Sequence, residues 1–425
     1  MRFRIKDFTT KVGSGGTPRG GAEVYQNSGI PLFRSQNVTD DGFLLDDIAY
    51  ISPKIDEEMS GSRIKPNDVL LNITGASIGR CYYVPADFNH GNVNQHVCII
   101  RPIQKIVLSP YLHLLLISQQ GKEYIKISQT GSGREGLTAQ EIKRFSFNIP
   151  SLDIQHRIVS YLDAETAKID HALELLHKKR DAYTRLKTSI INRAVTRGLN
   201  PNVPLKKSGV KWMGEIPEGW SVYRLKDLGY LYSGLTGKSG EDFRSEDLSS
   251  TKPYIPFTNV LNHLEIDPSQ VSLVVMKENE RQNTVRKNDL IFLMSSEDYE
   301  SIAKSSLVTT EICETYLNSF CRGFRLTSHL VYAKYLNYEL CSILYRDHLR
   351  LEARGFTRIN IKVDRIESMS VAFPSVPEQH AIASYLDDHC GRIDHAISIV
   401  DKQIDAYKRL KKSLINEVVT GKRKV

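Results

Sequence analysis

The chain repeats itself. The segment PSLDIQHRIVSYLDAETAKIDHALELLHKKRDAYTRLKTSIINRAVT begins at Pro150, and PSVPEQHAIASYLDDHCGRIDHAISIVDKQIDAYKRLKKSLINEVVT begins at Pro374. The offset, 374 − 150 = 224, holds without a gap, and about half the positions are identical. Self-similarity at a fixed period means that one structural unit is built twice. The repeat extends backwards more faintly. Asn94 pairs with Asn318, Arg101 with Arg325, Tyr111-Leu112 with Tyr335-Leu336, and Gly131 to Arg134 with Gly355 to Arg358, all at the same offset. Nearer the start, Arg4 to Phe8 echoes Arg224 to Leu228, and Asn67-Asp68 echoes Asn288-Asp289, at offsets of 220 and 221. The chain therefore reads as two copies of a variable domain followed by a constant helix. The expected segments are 1–150, 151–200, 201–375 and 376–425, in an α+β architecture.

The constant segments carry a heptad seam. Apolar residues alternate at steps of four and three through Ile158, Leu162, Ile169, Ala172, Leu176, Tyr183, Leu186 and Ile190, with breaks at Glu165 and Lys179. The second copy gives Ile382, Leu386, Ile393, Ala396, Val400, Tyr407, Leu410 and Leu414, broken at His389 and Gln403. No Pro or Gly interrupts the first helix between Gln155 and Arg197, and Gly198 and Pro201 end it. At 1.5 Å per residue each helix is on the order of 60–65 Å long. Such a helix needs a partner. The expectation is an intramolecular antiparallel pair; a helix packed on its own domain is the other reading. Off-seam apolar residues (Val159, Leu173, Leu175, Ile191 and Val195; Ile397, Ile399, Ile415 and Val418) exceed what a two-stranded seam buries. They are expected to face the variable domains or another protein subunit.

The variable domains read as short mixed strands, such as DVLLNI, CYYVP, HVCIIRP, DLIFLM and SMSVAFP, with helices over HLLLISQQGKEYIKISQ and YAKYLNYELCSILYRDHLRLEA. Between them lie polar loops at equivalent places in both halves: GSGGTPRGG, FRSQNVTDD and GSGREG, then SGLTGKSG, PFTNV and RGFTRINIK. Their Arg, Gln, Asn and Ser/Thr side chains suit base edges, and their glycines admit phosphates. A net charge of +8 permits a polyanionic partner.

Signals of chemistry are missing. Gly237-Lys238-Ser239 suggests a phosphate loop, but Tyr232 stands where the first glycine is required. Pro18 breaks the helix that a dinucleotide fingerprint around GSGGTPRG must open. No HExxH, GxSxG or EF-hand pattern occurs, nor the Asn-Pro-Pro-aromatic tetrapeptide of amino-methylating enzymes. His156 and His171, like His380 and His395, lie too far apart on one helix to share a metal, so no metal site is expected. Six cysteines without CxxC spacing read as buried free thiols of a reducing compartment. No apolar run approaches a membrane span, and the N-terminus lacks a signal-peptide core, so the expected location is the cytoplasm.

FNIPSLDIQHRIVSYLD, VAFPSVPEQHAIASYLD and the stretch GVKWMGEIPEGWSVYRLKDLG (Gly209 to Gly229) resemble the specificity subunits of type I restriction-modification systems. The resemblance covers essentially the whole chain. It implies two target-recognition domains, each reading half of a bipartite, non-palindromic site in double-stranded DNA, with antiparallel helices setting the spacer. It implies no catalytic residue and no cofactor on this chain. S-adenosylmethionine, ATP and Mg are expected on partners: two methylation subunits and, in the full complex, restriction subunits, together acting as an adenine methyltransferase and endonuclease. The off-seam residues Val159, Leu173, Leu175, Ile191, Ile397, Ile399 and Ile415 are the expected docking surface. Two departures stand out: SGLTG replaces the Gly16-Thr17-Pro18 turn, and PFTNV replaces the longer PLFRSQNV. The candidate DNA contacts are Arg19, Arg34, Gln36, Asn37 and Arg134 in the first domain. Lys238, Thr258, Asn259, Arg354 and Arg358 are those in the second. Each is a base contact, a phosphate contact or a bystander.

Overall fold

The computed structural model describes residues 2–129, 136–243, 250–278 and 280–425. It divides into two compact units: Met1–His177 with Lys402–Val425, and Lys178–Asp401. Each unit thus takes one variable domain, part of one long helix and part of the other.

The first unit has a four-stranded antiparallel sheet in the order Thr9–Ser14, Val97–Pro102, Val69–Asn72, Cys81–Tyr83. A three-stranded mixed sheet places Ile30–Phe33 between Ala49–Ile51, antiparallel, and Asn92–Val93, parallel. Arg2–Arg4 pairs with Ser146–Asn148 just before the first long helix. The second unit has the same plan. Its four-stranded order is Gly229–Ser233, Cys321–Leu326, Leu290–Leu293, Ser305–Leu307. Thr251–Ile255 lies between Ser272–Val275 and Tyr316–Leu317, and Ser221–Arg224 pairs with Ser370–Phe373. The central strands VLLN and LIFL are buried at every position, which is why they read as near-continuous apolar runs rather than alternating ones.

Two stretches expected as single helices are each split. Ser109–Ile117 gives way to Gln119–Ser128 at Ser118, whose hydroxyl accepts the Gly121 N–H at 3.3 Å as an N-cap. Ala333–Leu340 and Ile343–Glu352 are likewise divided near Ser342, whose hydroxyl makes no capping bond. In the sequence, a capping serine between two apolar segments is masked by the continuing hydrophobicity.

The long helices span Leu152–Arg197 and Val376–Val419 and are followed by left-handed Gly198 and Gly421. A buried glutamine ties the start of each to its domain. Gln155 Oε1 accepts Leu108 N–H at 2.9 Å, and its Nε2 donates to Ile106 O and Pro150 O, both at 2.9 Å. Gln379 repeats this with Tyr332 N–H at 2.7 Å, Leu330 O at 2.8 Å and Pro374 O at 2.9 Å. Every partner is displaced by the same 224 positions, so these glutamines are kept for backbone satisfaction. Gln155→Ala strands one N–H and two carbonyls and is expected to lower the stability of the first unit by about 1–3 kcal/mol. Urea unfolding checks this, with Gln379→Ala giving the matching loss in the second.

Within each unit the two helices run antiparallel. In the second, Arg180 pairs with Asp401 at 2.9 Å and Lys187 with Asp394 at 2.7 Å. In the first, Lys411 pairs with Asp170 at 2.8 Å, and the Arg423 guanidinium lies 5.6 Å from the Tyr161 ring centre. The ion pairs share one register, since 180 + 401, 187 + 394 and 170 + 411 all equal 581. Lys187–Asp394 and Lys411–Asp170 are one interaction made twice, with the copies exchanging roles (170 + 224 = 394; 187 + 224 = 411).

Ile158, Leu162, Ile169, Ile382, Leu386, Ile393, Val400 and Leu414 are buried, and Leu176, Tyr183 and Ile190 are half-buried. The seam is unbroken at His389 and Gln403, in contrast to the expectation. Cys390, Ile397 and Ile404, one residue further on, continue the four-three spacing through Ile393 and Val400, and Cys390 and Ile404 are fully buried. Tyr407, Leu186 and Leu410 are exposed. Ile191 packs in the second unit's core with Trp220 and Leu225, and Ile415 in the first unit's core with Ile158 and Phe147. Both are therefore removed from the expected partner-facing surface. Val159 and Leu173 are half-buried against the first unit's core, Ile397 is half-buried, and only Leu175 and Ile399 of that set are exposed.

Of the six cysteines, Cys313 is exposed and Cys341 intermediate, in contrast to the expected burial of all six. Burial pushes the Cys98 and Cys321 thiols up to about 12.

Candidate nucleic-acid interface

A common frame underlies the loops of both domains. Arg101 makes a two-pronged ion pair to buried Asp68 at 2.7 and 2.8 Å, and Arg325 does the same to Asp289 at 2.9 and 2.7 Å. The second oxygen of each carboxylate also accepts a backbone N–H, from Lys65 and from Arg286. The preceding Asn67 and Asn288 take left-handed φ values of 66° and 69°. Asparagine tolerates that region better than most residues, which accounts for its presence in both copies. Where the first strand of each four-stranded sheet leaves for its loop, the backbone passes close beneath. A Cβ on Gly15 would lie 2.0 Å from Val93 O, and one on Gly234 2.1 Å from Asn318 O. Asn94 Oδ1 accepts His96 N–H at 3.1 Å, and Asn318 Oδ1 accepts Phe320 N–H at 2.9 Å, making the same turn twice.

On this frame the candidate contacts sort into spent and free side chains. Asn37 is buried: its Oδ1 accepts Arg34 N–H at 3.0 Å and its Nδ2 donates to Leu44 O and Asp47 O. Asn259 is its counterpart, donating to Asp267 O and Gln270 O and accepting Asp267 N–H at 3.0 Å. Both hold a loop together and have no capacity left for a base. Lys238 is also spent. Its side chain is 4% exposed and its Nζ bonds Val275 O and the Glu280 carboxylate. Burial alone would raise the Glu280 carboxyl, but the bonds from Lys238, Gln282 and the Lys277 backbone outweigh it and bring it down to about 2. These three residues looked available because polarity in a sequence does not tell a loop's staple from its tip.

Arg34 and Gln36 both bond Asp47, with Arg34 Nη2 at 3.3 Å from Asp47 Oδ2, so they face out only by exchanging that partner. Arg19 and Thr258 are exposed, and Arg19 lines a cleft with Gly16, Thr17 and Glu58. Arg358 lies over the Phe320 ring, 4.4 Å from its centre, and Arg354 donates to Ala353 O at 2.7 Å. Arg134 lies outside the described residues. In the second unit, strand Ser295–Ser296 pairs with Ile359–Asn360 and brings the 295–300 loop beside the 354–360 loop. Nothing in the sequence marked the first of these as part of the surface, because its strand is two residues long.

Among the described residues no cluster of three or more His, Cys, Asp or Glu side chains is placed to hold a metal. No described helix is long and apolar enough to cross a membrane.

The family model for the type I restriction modification DNA specificity domain matches residues 1–178 and again 217–400. The MjaX specificity subunit of Methanocaldococcus jannaschii, named as a putative type I restriction enzyme subunit, is 21% identical over 417 residues, covering 96% of this chain and 91% of that protein. The EcoBI specificity subunit of Escherichia coli is 30% identical over 190 residues, 45% of this chain and 38% of the relative. A solved chain from work on complex assembly and conformational transition of the type I R-M system superposes with a TM-score of 0.71 at 14% identity, over 100% of this chain and 98% of that one. The HsdS subunit of Thermoanaerobacter tengcongensis gives 0.50 at 14% identity, over 100% and 97%. With two matched domains on a duplicated frame, the chain belongs to the family of specificity subunits of type I restriction-modification systems.

Proposed function

We infer that each unit reads one half of a bipartite, non-palindromic DNA site, and that the chain contributes recognition and scaffolding but no chemistry of its own. The observation that carries this reading is the pairing of identical anchors with unlike loops. Arg101–Asp68 and Arg325–Asp289 superimpose in role, whereas PLFRSQNV and PFTNV differ in length and content. A constant frame with divergent loops is what two readers of different sequences require. Arg19 and Thr258 are exposed and reach phosphate or base directly; Arg354, with the donors not bonded to Leu351 O and Ala353 O, and Arg358, exposed over Phe320, can join them, as can Arg34 and Gln36 on release from Asp47. Exposed Leu175 and Ile399 offer apolar footholds for methylation subunits. Those partners would bring S-adenosylmethionine, and restriction subunits ATP and Mg, to act as an adenine methyltransferase and endonuclease.

Replacing residues 1–150 by the corresponding domain of a relative with a different site tests the reading. Expressed with its methylation subunits, the chimaera is expected to change one half of the methylated sequence and keep the other, as read by mapping methylated adenines. An unchanged site would sink it. A purified chain that methylates or cuts DNA unaided would establish the rival reading of a self-contained enzyme.

A further inference from the structure

Residues 354–360 form a closed loop that holds one aromatic ring outside the protein. Arg354 N–H donates to Asn360 O at 2.9 Å and Asn360 N–H returns the bond to Arg354 O at 2.8 Å, which clamps the ends. Gly355, at φ 144°, turns the backbone so sharply that a Cβ there would lie 2.0 Å from Arg358 O. The Tyr299 hydroxyl donates to Gly355 O at 3.1 Å, and Ile359 is buried in the second unit's core. Between these fixed points Phe356 is 103% exposed, the most exposed large apolar side chain among the described residues.

The surroundings say what kind of partner fits. From Arg354 to Lys362 the segment RGFTRINIK carries three exposed cations, Arg354, Arg358 and Lys362, and no carboxylate, while the neighbouring loop carries Glu297, Asp298, which is bonded to Ser301, and Glu300, which is paired with Arg350. An exposed phenyl ring on a cationic segment complements a polyanion that also has flat apolar faces, which is the description of stacked bases between phosphates. At the corresponding position, 356 − 224 = 132, the first domain has Ser132. The equivalent segment, Gly131 to Arg134, contains no aromatic residue.

We propose that Phe356 wedges against the base stack in the half-site read by the second unit and opens one base step, while Arg354 and Arg358 bind the flanking phosphates. The inference rests on the reading that these domains bind DNA. It adds that the two half-sites are distorted unequally, so the second half is read partly through the ease with which one step unstacks.

The test uses the complex of this chain with its methylation subunits and a duplex carrying the mapped site, with 2-aminopurine placed in turn along each half. Flipping of the target adenine by the methylation subunits raises the signal at that position in both halves; an additional fluorescence rise is expected at one step of the second half-site and at none of the first. Phe356→Ala and Phe356→Ser are expected to abolish the additional rise and weaken specific binding roughly fivefold to 150-fold, the loss of one base–aromatic stack. Complex size, thermal stability and binding to random duplex stay as they were, and Phe356→Trp restores both signals. Unaltered affinity and fluorescence in the alanine variant would overturn the proposal. So would loss of complex assembly with DNA affinity intact, which would place the ring on a protein partner instead. A domain swap that moves the site, combined with an inert Phe356→Ala, removes this proposal alone; a swap that leaves the site unchanged removes the reading beneath it.

Discussion

Replacing Arg325 with methionine is expected to destabilise the second unit by about 3–5 kcal/mol, because it leaves Asp289 charged and buried without its cation. Asp289 is 1% exposed, and Arg325 reaches both of its oxygens while also donating to Thr284 O at 2.9 Å. The Tyr232 hydroxyl donates to the same carboxylate at 2.6 Å, and its ring lies 4.8 Å from the guanidinium carbon. Bonding to Asp289 is the largest influence on the Arg325 guanidinium and raises its already high proton affinity, outweighing its partial desolvation. Equilibrium unfolding in urea measures the loss. The double variant Arg325→Met with Asp289→Asn is expected to lose less than the two single losses added together, since the stranded charge is then gone. Arg101→Met should behave alike in the first unit, where Asp68 is fully buried. Equal stability of wild type and Arg325→Met would show that the pair is an ornament of the frame and not its anchor.

The second large effect is on pH dependence. Glu339 is fully buried, and burial pushes its carboxyl up to about 8, against the bonds from the Tyr345 hydroxyl and Ala372 N–H, which favour ionisation. Both of those donors reach Oε1, while Oε2 has no partner among the described residues, as suits a protonated acid. A carboxyl raised in the folded state holds its proton where the unfolded chain has released it. Stability is therefore complete below the ordinary carboxyl range near 4.5 and is lost as pH rises toward 8, by at most about 1.4 kcal/mol per pH unit. Glu339→Gln keeps an acceptor for Tyr345 and Ala372, and is expected to flatten the unfolding free energy between pH 5 and 8 and raise it at pH 8. A profile as steep as that of the wild type would rule Glu339 out as the cause. The first copy has Leu115 at this position (339 − 224 = 115), and it too is buried.

The division of labour between duplicated and diverged residues explains what could be read in advance. Offset 224 exposed both long helices, and the alternating steps through Ile158 and Ile382 gave the sense that each needs a helix beside it. Antiparallel pairing followed from topology and is realised in Lys187–Asp394 and Lys411–Asp170. The seam's frame moves by one residue at His389 and Gln403, a shift hidden in the sequence because the first-copy counterparts of Cys390 and Ile404, Thr166 and Arg180, are not apolar. Candidate contacts were the least legible. Asn37, Asn259 and Lys238 are polar residues in polar loops, as a DNA-reading residue would be, yet each satisfies groups within its own domain. Which role a side chain takes depends on partners far away in sequence, such as Glu280 for Lys238 across 42 residues. The exposed Phe356 escaped notice because an aromatic residue in a sequence is expected to be core.

The composition of the first unit has a consequence for how the protein is made. Its core includes Leu414, Ile415, Val418 and Val419, packed with Ile158, Leu162 and Phe147. During synthesis residues 414–419 emerge after the entire second domain, so the domain translated first cannot finish folding until they have left the ribosome. Until then an apolar face along Ile158, Leu162 and Ile169 stands uncovered, and loss of even the last two turns of the Val376–Val419 helix should harm the first unit more than the second.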